Sequence, residues 1–178
     1  MNTSISKKLT LVLRHKPWLL NLNPDSKGFV PLDELLNSFE RRWGVPAEDV
    51  LRVLLSDQER FEVVDRRVRA RYGHSFPVDP GRPLKPEEVP EKLYHGTVES
   101  SWRRIVKEGI KPMGRTFVHL SLSVERALQV ASRRRGRKVV LAVDAKRLAE
   151  RYKVWKASKL VYLTEYVPPD LIKVEKIV

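Results

Sequence analysis

The stretch from residue 91 to residue 121 constrains the fold more than any other part of the chain, because strand and helix signals alternate within it. Two short apolar runs, residues 93–94 and 117–120, predict β-strands, and apolar residues at helical spacing between them predict a helix. Each predicted strand carries one histidine, His95 in the first and His119 in the second. The pattern is typical of a strand-helix-strand unit with a histidine on each strand.

Histidine is a poor residue for simply filling a strand, because a buried imidazole ring needs a hydrogen-bond partner and its pKa lies near neutrality. Small or polar residues follow both histidines, Gly96-Thr97 in the first strand and Leu120-Ser121 in the second. One such histidine is most simply a structural residue. Two of them in this setting favour a ligand-binding cleft.

Four short motifs resemble those of the RNA 2'-phosphotransferases, a branch of the ADP-ribosyltransferase superfamily. Residues 94–97 (Tyr-His-Gly-Thr) and 118–121 (Val-His-Leu-Ser) are similar to the first two NAD-binding motifs of that family. Residues 13–17 (Leu-Arg-His-Lys-Pro) and 69–75 (Arg-Ala-Arg-Tyr-Gly-His-Ser) are similar to two further motifs. The four motifs occur in the order of the family and extend across nearly the whole chain, so together they are far more specific than any one of them.

The sequence predicts an α+β fold with two lobes. Three helical patterns are followed by a hairpin pattern over residues 61–72 that turns near Asp65-Arg66. This is the layout of a winged-helix lobe, which the resemblance also implies for residues 1–76. Five prolines lie between residues 76 and 90, so we interpret residues 77–90 as a semi-rigid linker. Residues 91–178 are rich in strand patterns, and the resemblance implies an ADP-ribosyltransferase-like, β-rich lobe that binds NAD.

Two more local predictions concern the ends of helices. Residues 5–14 predict a first helix with Ser4 or Thr3 as its N-cap and with Arg14 and His15 on its last turn, before Pro17 ends it. Ser123 is predicted to cap the helix that follows the second histidine strand.

The second strand of the predicted hairpin carries arginine at every other position, Arg67, Arg69 and Arg71. Because side chains alternate along a strand, these arginines lie on one face. A row of arginines on a strand is either a solvated face or an anion site, since like charges on one face repel unless an anion separates them and the guanidinium group binds phosphate at two points. Both interpretations remain open from the sequence.

The net charge and composition of the chain limit the kinds of partner and chemistry that we expect. The chain has 35 Lys and Arg against 22 Asp and Glu, a net charge of +13, which favours a nucleic-acid partner over a merely basic surface. It has no cysteine, which excludes disulfides, thiolate catalysis and cysteine-containing zinc sites. We see no signal peptide and no apolar run of about 18 residues, so we expect a soluble cytoplasmic protein without a membrane partner.

The resemblance implies a specific reaction, the NAD-dependent removal of an internal 2'-phosphate from RNA, with spliced tRNA as the expected substrate. In the family the 2'-phosphate attacks the anomeric carbon of the nicotinamide ribose and expels nicotinamide, which leaves an ADP-ribosylated phosphate on the RNA. The adjacent ribose hydroxyl then attacks phosphorus, giving 2'-hydroxyl RNA and ADP-ribose 1″,2″-cyclic phosphate. NAD is thus consumed, and neither a metal nor a protein partner is implied.

The resemblance also implies which residues catalyse the reaction and which bind NAD and RNA. It implies catalytic roles for Arg14, His15, Arg69 and Arg133, with Arg134 as the alternative to Arg133. It implies NAD binding by Tyr94, His95, Gly96, Thr97, His119, Leu120 and Ser121, with Leu163 or the nearby Glu165 on the third strand. The RNA phosphates are assigned to Lys16, Arg67, Arg71, His74, Ser75 and Arg134.

Rival functions have weaker support in the sequence. The four histidines lack the spacing of metal ligands, and no Gly-x-Ser-x-Gly motif indicates a serine hydrolase. Two alternatives remain, an ADP-ribosyltransferase that caps terminal phosphates of RNA or DNA and a non-enzymatic winged-helix nucleic-acid-binding protein. The intact histidine motifs disfavour the second of these.

Overall fold

The computed structural model describes the backbone of residues 2–178 and the side chains from Ser4 onward. Within that range the protein is a mixed α/β structure with six α-helices and two antiparallel sheets. The chain divides into two compact units, the first ending at Asp79 and the second beginning at Pro80. No helix of the described part is long and apolar enough to cross a membrane.

The first unit contains three α-helices and a small sheet. The helices are α1 (Asn2–Thr10), α2 (Leu32–Trp43) and α3 (Ala47–Ser56), and the strands are β1 (Val30–Pro31), β2 (Phe61–Val64) and β3 (Arg67–Ala70). The sheet is antiparallel in the order β1-β3-β2. Apolar side chains at helical spacing, among them Leu9, Leu35 and Phe39, are fully buried in one core beneath it.

Two short helical turns join α1 to the sheet. A π-helical turn (Leu11–His15) continues α1 and a 3-10 helix (Pro17–Leu20) follows it. Pro17 therefore ends the first helical segment as predicted, because proline cannot donate the next backbone hydrogen bond. The prediction of Ser4 as N-cap is wrong, since α1 already includes Asn2 and Ser4 lies within the helix, and the side chain of Thr3 lies outside the described residues.

The hairpin of β2 and β3 turns at Asp65 and Arg66, as the sequence predicts. Both residues have positive φ angles, 50° and 62°, which is the backbone of a two-residue hairpin turn. This turn sets the register, in which Glu62 pairs with Arg69 and Val63 with Val68. The alternation predicted from the sequence follows from it, with Val68 and Ala70 buried.

The second unit is built on a six-stranded antiparallel sheet in the order β7-β8-β5-β4-β6-β9. Its elements are β4 (Lys92–Val98), α4 (Glu99–Glu108), β5 (Val118–Ser121), α5 (Val124–Ala131), β6 (Lys138–Asp144), α6 (Ala145–Arg151), β7 (Val154–Lys156), β8 (Val161–Thr164) and β9 (Ile172–Ile177). The histidine strands β4 and β5 are therefore direct neighbours at the centre of the sheet. Ser123 caps α5 as predicted, because its hydroxyl accepts a hydrogen bond from the Arg126 amide at 3.1 Å.

The proline-rich stretch is more structured than a plain linker. A 3-10 turn (Pro86–Glu88) lies within it, and the Leu84 amide donates to the Val154 carbonyl at 2.7 Å. The indole of Trp155 donates to the Gly81 carbonyl at 3.0 Å. Because of these contacts, the part of the predicted linker 77–90 that begins at Pro80 packs as part of the second unit.

Candidate active-site residues in the two units

In the first unit, the two basic motifs of the sequence lie against each other. The π-helical turn carries Arg14 and His15, and the backbone after β3 carries Ser75. The Ser75 amide donates to the Arg14 carbonyl at 2.9 Å, and the Ser75 hydroxyl lies 3.0 Å from Nδ1 of His15. The guanidinium of Arg14, which is 7% exposed, lies 4.9 Å from the centre of the Tyr72 ring. The structure thus brings Arg14, His15 and Ser75 together.

His74 lies in the middle of this group and is neutral at physiological pH. Its burial, followed by the positive charges of Arg14, Arg69 and His15, lowers the pKa of His74 to about 4. Its Nε2 atom is buried and has no hydrogen-bond partner among the described residues. His74 is therefore a buried neutral imidazole on which the charges of Arg14 and Arg69 act.

The arginines of β3, and Arg71 directly after it, are separated by carboxylates of the protein itself. Oε1 of Glu62 lies 2.7 Å from Nη2 of Arg69 and 3.6 Å from Nη1 of Arg71, and Asp25 lies 3.4 Å from Nη1 of Arg67. The sequence interpretation overlooked Glu62. The two-residue turn of the hairpin was the signal that could have found it, because that turn places residue 62 opposite residue 69.

The ring of Phe29 also holds two of these arginines. The guanidinium carbons of Arg67 and Arg69 lie 4.6 and 4.4 Å from its centre. Arginine stacks on aromatic faces through cation–π attraction. The arginine row is consequently a fixed, partly covered surface.

In the second unit, the two histidines are linked through the backbone. Tyr94 of β4 pairs with Ser121 of β5. Nδ1 of His95 lies 3.1 Å from the carbonyl oxygen of His119, and Nδ1 of His119 lies 3.0 Å from the carbonyl oxygen of Phe117. A carbonyl can only accept, so both Nδ1 atoms carry the proton and donate.

The environment of His95 keeps its ring neutral. Burial lowers the pKa of His95 most, the positive charge of Arg134 lowers it further, and the hydrogen bond to the His119 carbonyl opposes both effects. With the proton on Nδ1, the Nε2 atom of His95 is a hydrogen-bond acceptor. His95 is thus suited to accept a hydrogen bond from a hydroxyl of a ligand.

A cavity of about 440 Å³ opens beside the histidine strands. Of the residues predicted from the sequence, its wall includes His95, Gly96, Thr97, His119, Arg133 and Arg134. Tyr94, Leu120 and Ser121 are not among the described residues that line it, and Leu120 is fully buried in the core of the unit. The structure therefore gathers most, but not all, of the predicted NAD-binding residues around one cavity.

The loop between α4 and β5 supplies another part of the wall, including Lys111, Met113 and Arg115. Sequence reasoning missed these residues because residues 111–117 lie in no helix or strand and show no hydrophobic period. Arg104 and Glu108 of α4 also line the cavity. They lie on the polar face of an amphipathic helix, where charged residues are unremarkable in a sequence.

Gly96 has a packing role that is independent of any ligand. A Cβ atom at this position would lie 1.8 Å from the Ala127 carbonyl oxygen of α5. Only glycine therefore allows α5 to approach β4 this closely. The contact brings the end of α5, and with it Arg133 and Arg134, to the cavity.

The two candidate arginines at that helix end differ in how they are held. Nη2 of Arg134 donates to the Ser101 hydroxyl at 2.8 Å and Nη1 to the Thr97 hydroxyl at 3.4 Å. Arg133 also lines the cavity, and both arginines are exposed. Arg134 is thus anchored to the histidine strand by two hydrogen bonds.

The third strand of the predicted site is β8. Leu163 pairs directly with His119 across β5 and β8, whereas Glu165 follows the end of β8 and is exposed. Leu163 is 6% exposed. Of the two candidates from the sequence, Leu163 is the one that neighbours a histidine strand.

Comparison with known proteins points to one family. Residues 1–166 match the model of the family described as "RNA 2'-phosphotransferase, Tpt1 / KptA family". A probable RNA 2'-phosphotransferase of Pyrococcus abyssi (strain GE5 / Orsay) is 43% identical over 171 residues, which cover 94% of this chain and 92% of that protein. A protein with the same description from Rhizobium leguminosarum bv. trifolii (strain WSM2304) is 40% identical over 170 residues, with 94% of this chain and 91% of that protein covered. The similarity thus extends over both units.

Proposed function

Because the chain belongs to the RNA 2'-phosphotransferase family, Tpt1 / KptA, we propose that it removes an internal 2'-phosphate from RNA at the expense of NAD and that spliced tRNA is its substrate. The first unit is then a winged-helix, phosphate-binding lobe, and the second an ADP-ribosyltransferase-like lobe. The observation that carries the proposal is the pair of adjoining histidine strands at the wall of one cavity, with His95 neutral and its Nε2 ready to accept.

The residues around the cavity suit a dinucleotide. His95 offers an acceptor for a ribose hydroxyl, and Gly96 and Thr97 follow it along the cavity wall. His119 completes the wall on the neighbouring strand. These side chains would bind and orient NAD, and none of them needs to act as an acid, because nicotinamide is already a good leaving group.

NAD supplies an anomeric carbon that takes the RNA 2'-phosphate in place of nicotinamide, and a neighbouring hydroxyl that then removes this phosphate as ADP-ribose 1″,2″-cyclic phosphate. The protein has to hold a phosphate while negative charge gathers on its oxygens. We assign that task to Arg14, His15 and Arg69 of the first unit and to Arg133 of the second.

The remaining polar groups of the first unit extend the phosphate site. We assign contacts with the RNA phosphates to Lys16, Arg67, Arg71, His74 and Ser75, and in the second unit to Arg134. The support lies in the first-unit cluster itself, where Ser75 contacts both Arg14 and His15 and the charges of Arg14 and Arg69 act on His74. A site of this kind favours a dianionic ligand.

One incubation tests the proposal. The chain is mixed with NAD and an RNA oligonucleotide that carries a single internal 2'-phosphate, and products are followed by chromatography and mass spectrometry. We expect 2'-hydroxyl RNA, nicotinamide and ADP-ribose 1″,2″-cyclic phosphate in equal amounts. The same oligonucleotide without the 2'-phosphate is the control and should leave NAD intact.

Two other results would contradict the proposal in different ways. Nicotinamide release with an oligonucleotide that carries only a terminal phosphate, and with a stable ADP-ribosyl adduct as product, would indicate a capping ADP-ribosyltransferase. RNA binding without any consumption of NAD would indicate a nucleic-acid-binding protein. A spliced tRNA that carries the 2'-phosphate at its junction, compared with the oligonucleotide at equal concentration, tests the choice of substrate.

A further inference from the structure

One carboxylate oxygen on β2 lies between Arg69 of β3 and Arg71, the residue that follows this strand. Oε1 of Glu62 accepts a hydrogen bond from Nε of Arg69 at 2.8 Å and lies 2.7 Å from Nη2 of the same side chain. It also lies 3.6 Å from Nη1 of Arg71. The antiparallel register places Glu62 directly opposite Arg69, so the contact is built into the hairpin.

Further contacts restrict the same guanidinium group. Nη1 of Arg69 donates to the Lys27 carbonyl at 3.0 Å, and its guanidinium carbon lies 4.4 Å from the centre of the Phe29 ring. The side chains of Arg69 and Glu62 are 26% and 25% exposed, so the contact is largely covered. Arginine has five N–H groups, and the outer edge formed by Nη1 and Nη2 can therefore still bind an anion at two points.

We propose that Glu62 is a positioning residue for the RNA 2'-phosphate, which it serves by fixing the guanidinium of Arg69 with the outer edge toward the phosphate. This inference rests on the role of Arg69 in the proposed function. Without the carboxylate, the like charges of Arg67, Arg69 and Arg71 on one strand face would push the flexible side chains apart. With the carboxylate in place, the RNA phosphate binds to an Arg69 guanidinium group that is already oriented.

A positioning role and a merely charge-neutralising role predict opposite effects on binding. Glu62 carries a negative charge close to the proposed phosphate, so on Coulombic grounds alone its removal would strengthen the binding of a dianion. If Glu62 positions Arg69, removal of Glu62 weakens the binding of the dianion because the guanidinium of Arg69 is no longer held in place. The sign of the change in affinity therefore separates the two roles.

The test compares Glu62→Gln and Glu62→Ala with the unaltered chain. We expect Glu62→Ala to lower kcat/KM for 2'-phosphorylated RNA by about 10- to 100-fold and to reduce the preference in Kd for 2'-phosphorylated over 2'-hydroxyl RNA. Glu62→Gln keeps the shape and one acceptor oxygen, so its loss should be smaller. Unchanged or tighter binding of the 2'-phosphorylated RNA by Glu62→Ala would overturn the inference.

A second comparison asks whether Glu62 acts through Arg69. In an Arg69→Ala background, Glu62→Ala should cause little further loss, whereas an equal loss in both backgrounds would contradict the inference. Asp170→Ala is the matched control, since it removes a carboxylate 2.8 Å from Arg151 in the second unit and should leave kcat/KM unchanged. Thermal unfolding of each variant shows that it is folded, and Glu62→Gln carries the test if Glu62→Ala is not.

Failure of the proposed function has a different signature. If the unaltered chain releases no nicotinamide with 2'-phosphorylated RNA, the proposed reaction is wrong whatever the Glu62 variants do. The Kd measurements still decide the positioning role in that case, because they need only the RNA and not NAD.

Discussion

Gly73 and Arg14 are in such close contact that a Cβ atom on Gly73 would lie 2.8 Å from Nε of Arg14. Gly73 also has a φ of +91°, which glycine adopts without strain. We predict that Gly73→Ala displaces the Arg14 guanidinium and destabilises the protein by about 1–3 kcal/mol through strain and overlap. The free energy of unfolding in urea and kcat/KM for 2'-phosphorylated RNA measure the two effects.

Gly44→Ala is the control for this variant. Gly44 has a φ of +64° at the end of α2, but nothing lies within 4 Å of the Cβ position. Gly44→Ala should lower the free energy of unfolding by about 1–2 kcal/mol through backbone strain alone and leave kcat/KM unchanged. Equal losses of kcat/KM in the two variants would mean that the contact with Arg14 is irrelevant to activity.

Gly96 tests the close approach of α5 to β4. A methyl group at this position would meet the Ala127 carbonyl oxygen, which is backbone and cannot rotate away. We predict that Gly96→Ala destabilises the protein by about 3 kcal/mol and enlarges the separation of helix and strand. Calorimetric unfolding measures the loss. Gly114→Ala is the control, because no atom lies within 4 Å of the Cβ position in this loop. It should lower the free energy of unfolding only by the backbone strain at a φ of +75°.

The pKa of His74 predicts a loss of stability in acid. Its pKa is lowered from 6.5 to about 4 in the folded protein. The unfolded chain therefore binds the proton first as the pH falls, so the contribution of His74 is fully present above pH 6.5 and is lost between pH 6.5 and pH 4. A difference of this size corresponds to roughly 3 kcal/mol.

The measurement is urea unfolding of the unaltered chain and of His74→Gln between pH 4 and pH 7. Carboxylates contribute to the acid loss in both proteins, so only the difference between the two curves reports on His74. We expect that difference to shrink as the pH falls through this window. Parallel curves would show that His74 is not held neutral by its surroundings.

The sequence predicts most of the secondary structure because its periods are strong. The alternation of Val68 and Ala70 with arginines, and the turn signal near Asp65 and Arg66, identify the hairpin, although its pairing of Glu62 with Arg69 was not predicted. Ser123 identifies the start of α5 because a hydroxyl before an amphipathic segment satisfies a free amide of the first turn.

Other features depend on contacts between distant residues, which no local pattern reveals. The requirement for glycine at position 96 comes from Ala127, on another element. The wall formed by residues 111–117 has no period at all, and the packing of Leu84 against Val154 is invisible in a proline-rich segment. The motifs therefore mark some residues of the cavity wall, such as His95 and His119, whereas tertiary packing brings in others that no motif marks.

Arg134 provides a test of the electrostatics around His95. Its guanidinium is tied to Thr97 and Ser101, and its charge helps to lower the pKa of His95. We predict that Arg134→Ala raises the pKa of His95, because the protonated ring no longer faces that positive charge. The imidazole resonances of His95, followed by NMR as a function of pH, measure the change.

Arg133→Ala is the comparison, since the charge of Arg133 is not among the causes that shift the pKa of His95. It should leave the pKa of His95 where it is in the unaltered chain.

The two arginine variants should also differ in their effects on activity. Arg134→Ala should mainly raise KM for the RNA, because we assign Arg134 to an RNA phosphate, and Arg133→Ala should mainly lower kcat, because we assign Arg133 to the phosphate on which charge gathers. The reverse division would exchange the roles of the two arginines.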